Sequence, residues 1–222
     1  MEHRYSEAEI AAVYRAIYER RDMRHLVPGP LPAGLFERLI AAAHRAPSVG
    51  YMQPWRFLHI VDAALRTSIH ALVDEERGRT AAALSTRQQA FLELKVEGLR
   101  DCAEVLVAAL MDGREKHVFG RRTLPEMDIA STACAIQNMW LAARAEGIGL
   151  GWVSIFDPAA LAALLRMPAG AKPIAVLCLG RVETFPDQPL LETLGWGSRL
   201  AGERYLFENF WPDEDCTTPA PY

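Results

Sequence analysis

A continuous apolar run in the middle of the chain places the strongest constraint on the fold. Residues 104–111 contain one charged side chain, Glu104, followed by seven apolar residues. A strand with one face in solvent would alternate apolar and polar side chains, so this run predicts a strand buried on both faces. Residues 173–182 predict a second strongly apolar strand. At 222 residues, the chain is long enough to bury a core of this kind.

Amphipathic segments predict helices along much of the remaining chain. The segment 63–100 is charged and is interrupted near Gly78 and Ser85, which indicates a helical excursion outside the core. A capping-box spacing, Ser6 to Glu9, begins the first helix. The predicted helices are residues 6–20, 32–45, 63–100, 127–146 and 158–165, and the two shorter predicted strands are residues 56–61 and 152–156.

Two parts of the chain are more apolar than a single core requires. The predicted helix over 127–146 has an apolar surface wider than one core-facing stripe, which predicts a subunit interface. Beyond Glu183 the periodicity fades while aromatic residues persist. We therefore expect the C-terminal region to wrap over a partner surface.

Residues 20–24, called here the arginine segment, have the sequence Arg-Arg-Asp-Met-Arg at the exit of the first predicted helix. Guanidinium groups bind phosphate or carboxylate through paired hydrogen bonds, so the cluster predicts a site for an anion. The alternative is a solvated helix end whose positive charges favour the helix dipole. Asp22 either neutralises the neighbouring arginines or contacts a different part of the same ligand.

Two further stretches have features suited to a ligand. Residues 46–55 form a loop bounded by Pro47 and Pro54 that carries a hydroxyl, an amide and free backbone donors. Residues 147–151, Gly-Ile-Gly-Leu-Gly, follow a helix and precede a strand, whereas a dinucleotide-binding glycine motif follows a strand and opens a helix. This glycine run is either a helix C-cap with an entry turn or backbone that lies flat against a planar ligand.

The composition excludes several classes of protein. A formal net charge of -4 and a pI near 5.9, without a polybasic run, argue against nucleic acid as a partner. No apolar stretch reaches the length of a membrane span and no signal peptide is visible, so we expect a cytoplasmic protein without a membrane partner. The histidines and cysteines lack metal-ligand and C-x-x-C spacing. We expect no metal site, reduced thiols, and buried apolar positions for Cys134 and Cys178.

Three stretches together, residues 20–24, 46–55 and 147–156, resemble the nitroreductase-like flavoproteins. Within this family, the chain is similar to the branch that makes 5,6-dimethylbenzimidazole, the lower ligand of vitamin B12. This similarity lies in the arginine segment, in Gly-Trp-Val-Ser-Ile-Phe and in Met127-Asp128. Related dehalogenases usually have serine in place of Asp22. The resemblance implies an α+β fold with a mixed, mostly antiparallel central sheet surrounded by helices, in an intertwined homodimer. The sequence predicts one domain over 1–212, with the excursion 63–100 and a C-terminal arm 184–212, then a flexible tail 213–222.

The implied activity consumes FMN. Reduced FMN, supplied by a flavin reductase, reacts with molecular oxygen and is fragmented to 5,6-dimethylbenzimidazole and erythrose 4-phosphate, without a metal. Asp22, as a proton relay, and Ser154, as a hydrogen-bond partner of the ring, are the implied catalytic residues. Without the resemblance, Asp22 is equally a charge partner of Arg20 or Arg24, and Ser154 a strand hydroxyl bound to backbone. The implied FMN-binding residues are Arg20, Arg21, Asp22, Met23, Arg24, Ser48, Gln53, Leu94, Gly149, Gly151, Ser154 and Arg199.

Two other functions remain open on the sequence. An NAD(P)H-dependent FMN reductase of nitro compounds or quinones would keep its flavin and would need room above the ring for nicotinamide and substrate in turn. The segment 63–100, with Phe91 and Leu94, is better suited to cover the ring. A non-catalytic flavin carrier would bind FMN without destroying it, and would have no evident use for Asp22 among the arginines.

Overall fold

The computed structural model describes residues 3–95, 97–202 and 205–211. Within these residues four strands form one antiparallel sheet in the order β1-β2-β4-β3. An isolated parallel bridge between Asp22 and Leu150 extends the edge of β3. The mixed, mostly antiparallel sheet of an α+β fold is therefore confirmed. The strands are β1 (Trp55–His59), β2 (Glu104–Leu110), β3 (Gly149–Val153) and β4 (Lys172–Gly180).

The described part of the chain contains seven α-helices. At the first of them both hydrogen bonds of the predicted capping box form between Ser6 and Glu9. Short 3-10 turns occur at Val49–Tyr51, Ser85–Arg87 and Arg114–Lys116. The helices are α1 (Glu7–Glu19), α2 (Leu35–His44), α3 (Ala63–Ala83), α4 (Gln88–Glu93), α5 (Met127–Ala145), α6 (Pro158–Leu164) and α7 (Leu190–Thr193).

Strand β2 lies between two hydrophobic clusters, as its apolar run predicts. Leu106 and Ala108 belong to the cluster formed with α2 and α5. Val105 and Val107 point to the opposite face and belong to the cluster formed with α3 and α6. Since neighbouring side chains of a strand alternate between faces, a strand covered on both sides needs apolar residues at every position.

The predicted helical segment 63–100 is helical only as far as Glu93, and its first helix is not an excursion outside the core. Ile69 and Val73 of α3 are fully buried in the second cluster. Gly78 lies inside α3 without a break, and the interruption falls at the 3-10 turn that begins at Ser85. In the sequence, the many charges of α3 obscure its short apolar stripe. Two buried residues one turn apart are enough to anchor this helix to the core.

Helix α1 has no buried residue. Its apolar side chains Val13, Tyr14, Ile17 and Tyr18 are all exposed, Tyr18 to 68%. Helix α5, by contrast, buries most of its apolar surface in the first cluster, and its exposed large apolar side chains, Met127 and Ile129, lie in its first turn. The broad apolar surface of α5 is thus mainly a core surface, while α1 presents an apolar face to solvent.

The described residues form two compact units, one ending at Phe185 and one beginning at Pro186. The second contains α7 and has exposed aromatic side chains, among them Phe210 and Trp211. The predicted flexible tail, residues 213–222, lies outside the described residues. Among the described helices, none combines the length and the apolar character needed to cross a bilayer.

Candidate functional site

The arginine segment lies along the outer edge of β3. Met23 donates its backbone N–H to the Leu150 carbonyl oxygen at 3.0 Å, and a few residues later Val27 donates to the Arg181 carbonyl oxygen at 2.8 Å. The Met23 side chain is buried. The segment that leaves α1 is therefore fixed on the sheet rather than left as a solvated helix end.

Two glycines of β3 make this close approach possible. A Cβ atom built at Gly149 would lie 2.5 Å from Val182 and 3.0 Å from the Cβ of Met23. One built at Gly151 would lie well under 3.0 Å from the Met23 carbonyl oxygen. The space beside Gly149 is thus filled by side chains of the protein and that beside Gly151 by the Met23 backbone. Gly147, with φ of 74°, ends the preceding helix. The assignment of Gly149 and Gly151 to FMN binding stays a prediction.

The Asp22 carboxylate is held at both oxygens. Oδ1 accepts the backbone N–H of Trp152 at 2.9 Å. Oδ2 accepts Nε and Nη2 of Arg24 at 3.1 and 2.5 Å. Asp22 is thus the charge partner of Arg24, one of the two alternatives that the sequence left open. Its side chain remains 33% exposed, so a ligand can still reach the fixed carboxylate.

Helix α5 fixes the other end of the segment. The Trp140 indole donates to the Arg21 carbonyl oxygen at 3.0 Å, and the Arg20 guanidinium carbon lies 4.4 Å from the centroid of the Trp140 ring. Arg21 itself donates to the Tyr18 carbonyl oxygen at 2.7 Å, which caps the last turn of α1. From the sequence, Trp140 is only one residue of the broad apolar surface predicted for 127–146, because no local pattern relates it to a residue 119 positions away.

Ser154 follows the end of β3, two residues after Trp152, and is exposed. Its Cα can lie no more than about 7 Å from that of Trp152, whose N–H binds Asp22. Within the described residues its hydroxyl makes no hydrogen bond, so the alternative of a strand hydroxyl bound to backbone is not realised. The two predicted catalytic side chains therefore belong to one region of the surface, and Ser154 is free to bind a ligand.

The 46–55 loop holds an unfavourable backbone conformation. Tyr51 and Gln53 both have positive φ, 55° and 50°, which costs a residue with a Cβ roughly 1–2 kcal/mol. Ser48 Oγ accepts the Gln53 backbone N–H at 3.0 Å, and Ser131 Oγ accepts the Val49 N–H at 3.1 Å. The Gln53 carboxamide makes no hydrogen bond to any described residue. A strained loop that presents a free amide is typical of a binding site.

A buried ion cluster fixes the segment that packs against this loop. Asp128, 3% exposed, accepts Nε of Arg114 at 3.0 Å and Nε of Arg121 at 2.8 Å. The hydrogen bond to Asp128 raises the pKa of Arg121. The connection between β2 and α5 is thereby fixed against the loop, where a Cβ at Gly50 would lie 2.5 Å from the Phe119 carbonyl oxygen. The sequence marked Asp128 only as part of the resemblance.

The structure does not bring all predicted site residues together. Ser131, which contacts the 46–55 loop, and Trp140, which contacts the arginine segment, lie nine residues apart on α5, or about 13 Å along its axis. Leu94 ends α4, where its carbonyl oxygen accepts from Arg77 at 3.3 Å. Arg199 is exposed and belongs to the second unit, so its contact with phosphate stays a prediction.

The Cys178 thiol is unsuited to nucleophilic chemistry. Cys102 and Cys178 are buried, and the hydrogen bond with Cys102 together with burial raises the pKa of the Cys178 thiol well above its ordinary value, which makes it a poor nucleophile. Cys134 is exposed on α5, so the expectation that it is buried is wrong; Cys216 lies outside the described residues. No group of three His, Cys, Asp or Glu in the described ranges is placed to hold a metal ion.

Comparison with known proteins gives one consistent result. Residues 17–181 match the Nitroreductase family. The chain is 41% identical over 185 residues to 5,6-dimethylbenzimidazole synthase of Rhodospirillum rubrum, covering 81% of this chain and 86% of that protein. It is 38% identical over 186 residues to the Rhodobacter capsulatus synthase, covering 83% and 90%.

Solved structures share the fold at lower identity. The NADPH:FMN oxidoreductase from Vibrio harveyi superimposes with a TM-score of 0.67 at 18% identity, over 92% of this chain and 80% of that one. Oxidised iodotyrosine deiodinase bound to FMN superimposes with a TM-score of 0.66 at 17% identity, over 80% and 94%. These likenesses establish the architecture, not the substrate.

Proposed function

The chain belongs to the nitroreductase family, and we propose that within it this protein is a 5,6-dimethylbenzimidazole synthase. Its reaction is the fragmentation of reduced FMN by molecular oxygen to 5,6-dimethylbenzimidazole and erythrose 4-phosphate. The observation that carries the proposal is the 41% identity to the Rhodospirillum rubrum synthase over 81% of this chain. No separate observation favours the NAD(P)H-dependent reductase or the carrier.

The donor set of the site fits FMN. The arginine segment contains three guanidinium groups and one carboxylate, an excess of two positive charges that suits a phosphate dianion. Arg20, Arg21 and Arg24 would hold the phosphate end, and the Gln53 amide and Ser48 hydroxyl would hydrogen-bond the flavin. Bound reduced FMN supplies both the dimethyl-substituted ring of the product and the electrons that oxygen accepts. A flavin reductase would supply it.

Asp22 provides a carboxylate of fixed direction. The two N–H groups of Arg24 occupy both lone pairs of Oδ2, and the Trp152 N–H occupies one lone pair of Oδ1, which leaves the other lone pair of Oδ1 for a ligand proton. A carboxylate held in this way can accept a proton and return it without reorienting between the two steps. In our proposal Asp22 is the acid and base of the fragmentation.

Ser154→Gly should slow fragmentation about tenfold while the affinity for reduced FMN changes less than about threefold. The Ser154 hydroxyl has no hydrogen bond to the described part of the protein, so its loss breaks no internal contact. Single-turnover formation of dimethylbenzimidazole and anaerobic flavin titration measure the two effects. A wild-type single-turnover rate would remove Ser154 from the mechanism.

We further propose that the functional unit is a homodimer. One chain leaves the apolar face of α1 exposed and separates the 46–55 loop from the arginine segment along α5. A second copy can cover α1 and bring its own loop to the segment. Sedimentation equilibrium of the FMN-loaded protein tests this, and a monomer that binds FMN with full affinity would contradict it.

The proposed reaction predicts that the flavin is destroyed. Protein and chemically reduced FMN are mixed without oxygen, air is admitted, and the small molecules are separated and identified by mass spectrometry. We expect FMN to disappear with stoichiometric appearance of dimethylbenzimidazole. Reduced FMN without protein, and protein with oxidised FMN, are the controls. Quantitative recovery of oxidised FMN would overturn the proposal, because a reductase or a carrier preserves its flavin.

A further inference from the structure

Trp140 contacts the arginine segment at two points. Its indole N–H donates to the Arg21 carbonyl oxygen at 3.0 Å, and its ring lies beneath the Arg20 guanidinium, 4.4 Å from the centroid. We propose that Trp140 is a positioning residue that orders Arg20 and Arg21 for the phosphate of FMN. The inference rests on the proposed function in taking FMN as the ligand.

The hydrogen bond is specific to this side chain. Trp140 is only 9% exposed, and a buried indole N–H requires an acceptor. The Arg21 carbonyl lies beyond the end of α1, where no helical N–H can reach it. The bond therefore satisfies the indole N–H and holds the backbone of Arg21 against α5.

The ring contact orders the Arg20 side chain. An arginine side chain has large rotamer freedom, which is lost when it binds a ligand. A guanidinium within 6 Å of a tryptophan centroid is attracted to the ring face, so part of this order exists before binding. Ordering in advance raises affinity without any contact between Trp140 and the ligand.

The Trp140 ring also adjoins a second tryptophan, whose backbone binds the carboxylate. The Trp140 and Trp152 rings lie 6.3 Å apart, and the Trp152 backbone N–H binds Asp22. Arg20, Arg21 and Asp22 are thus fixed by two adjacent tryptophans, one on α5 and one on β3. A position in the core explains the burial of Trp140 but not this pair of polar contacts.

Trp140→Phe tests the inference by comparing FMN with riboflavin, which lacks the phosphate. The variant keeps a ring and loses the N–H, so we expect the Kd for FMN to rise about tenfold and that for riboflavin to change less than about threefold. Ile136→Val, one turn earlier on α5, is the control: it removes one buried methylene and has no donor for Arg21. Both variants are titrated with both flavins, and their stabilities are compared in urea.

The inference is overturned if Trp140→Phe loses affinity equally for the two flavins, or if Ile136→Val shows the same loss of affinity. Trp140 would then act only as a core residue. Trp140→Tyr is measured in the same way if the phenylalanine variant does not fold. Binding equilibria do not depend on product formation. A wild-type protein that makes no dimethylbenzimidazole would end the proposed function, while a selective loss of FMN affinity in Trp140→Phe would still support the positioning role.

Discussion

Asp22→Asn should reduce dimethylbenzimidazole formation at least about 100-fold while reduced FMN remains bound. The amide oxygen of asparagine can still accept the Trp152 N–H, so the segment keeps its position on β3. The ion pair with Arg24 is lost, and the segment gains one net positive charge, which favours the phosphate dianion. What disappears is the group that accepts and returns a proton. Single-turnover product formation and anaerobic titration with reduced FMN measure the two quantities.

Glu146→Gln is a matched control for this substitution. Glu146 binds Arg38 through two contacts, at 3.1 and 3.2 Å, and both side chains are largely exposed. Its replacement also removes a carboxylate from an arginine but should change neither rate nor affinity. If Asp22→Asn forms product at the wild-type rate, Asp22 is only the charge partner of Arg24.

The elements that could be predicted from the sequence depend on neighbouring residues. The apolar run of β2 and the capping box of Ser6 and Glu9 are local patterns, and both are confirmed. Strand β3 begins at Gly149, whereas the sequence predicts a start at Trp152. Glycine has a low strand propensity, so the true start could not be recognised from the sequence. The conformation of this run depends on Met23, which no pattern within the run can reveal.

The sequence yields a set of candidate site residues but not their geometry. The resemblance identified Asp22 and Ser154, and the structure shows that Asp22 binds the backbone two residues before Ser154. The contacts that fix the site join residues more than 100 positions apart, as with Trp140 and Arg21. Such pairs leave no trace in periodicity or composition, since the two residues become neighbours only through the order of the sheet and its helices.

Gly151→Ala should abolish product formation by displacing the arginine segment. The new Cβ would overlap the Met23 carbonyl oxygen, and backbone on both sides is already hydrogen-bonded, so the segment must move. Overpacking of this kind costs about 1–3 kcal/mol of unfolding free energy. We expect FMN affinity to fall at least about tenfold, since three guanidinium groups lose their common position. Flavin titration and urea denaturation measure both losses.

Gly78→Ala is the matched control, because its Cβ meets nothing within 4 Å and alanine favours the interior of α3 by up to about 1 kcal/mol. Hydrogen exchange then distinguishes two reasons for a glycine at position 151. If Gly151 admits the arginine segment, Gly151→Ala loses protection at the Met23 amide, which donates to Leu150, even without flavin. If Gly151 instead lies against the flavin, that amide stays protected while FMN affinity falls. Protection at Met23 therefore decides whether β3 is shaped by the ligand or by the segment that binds it.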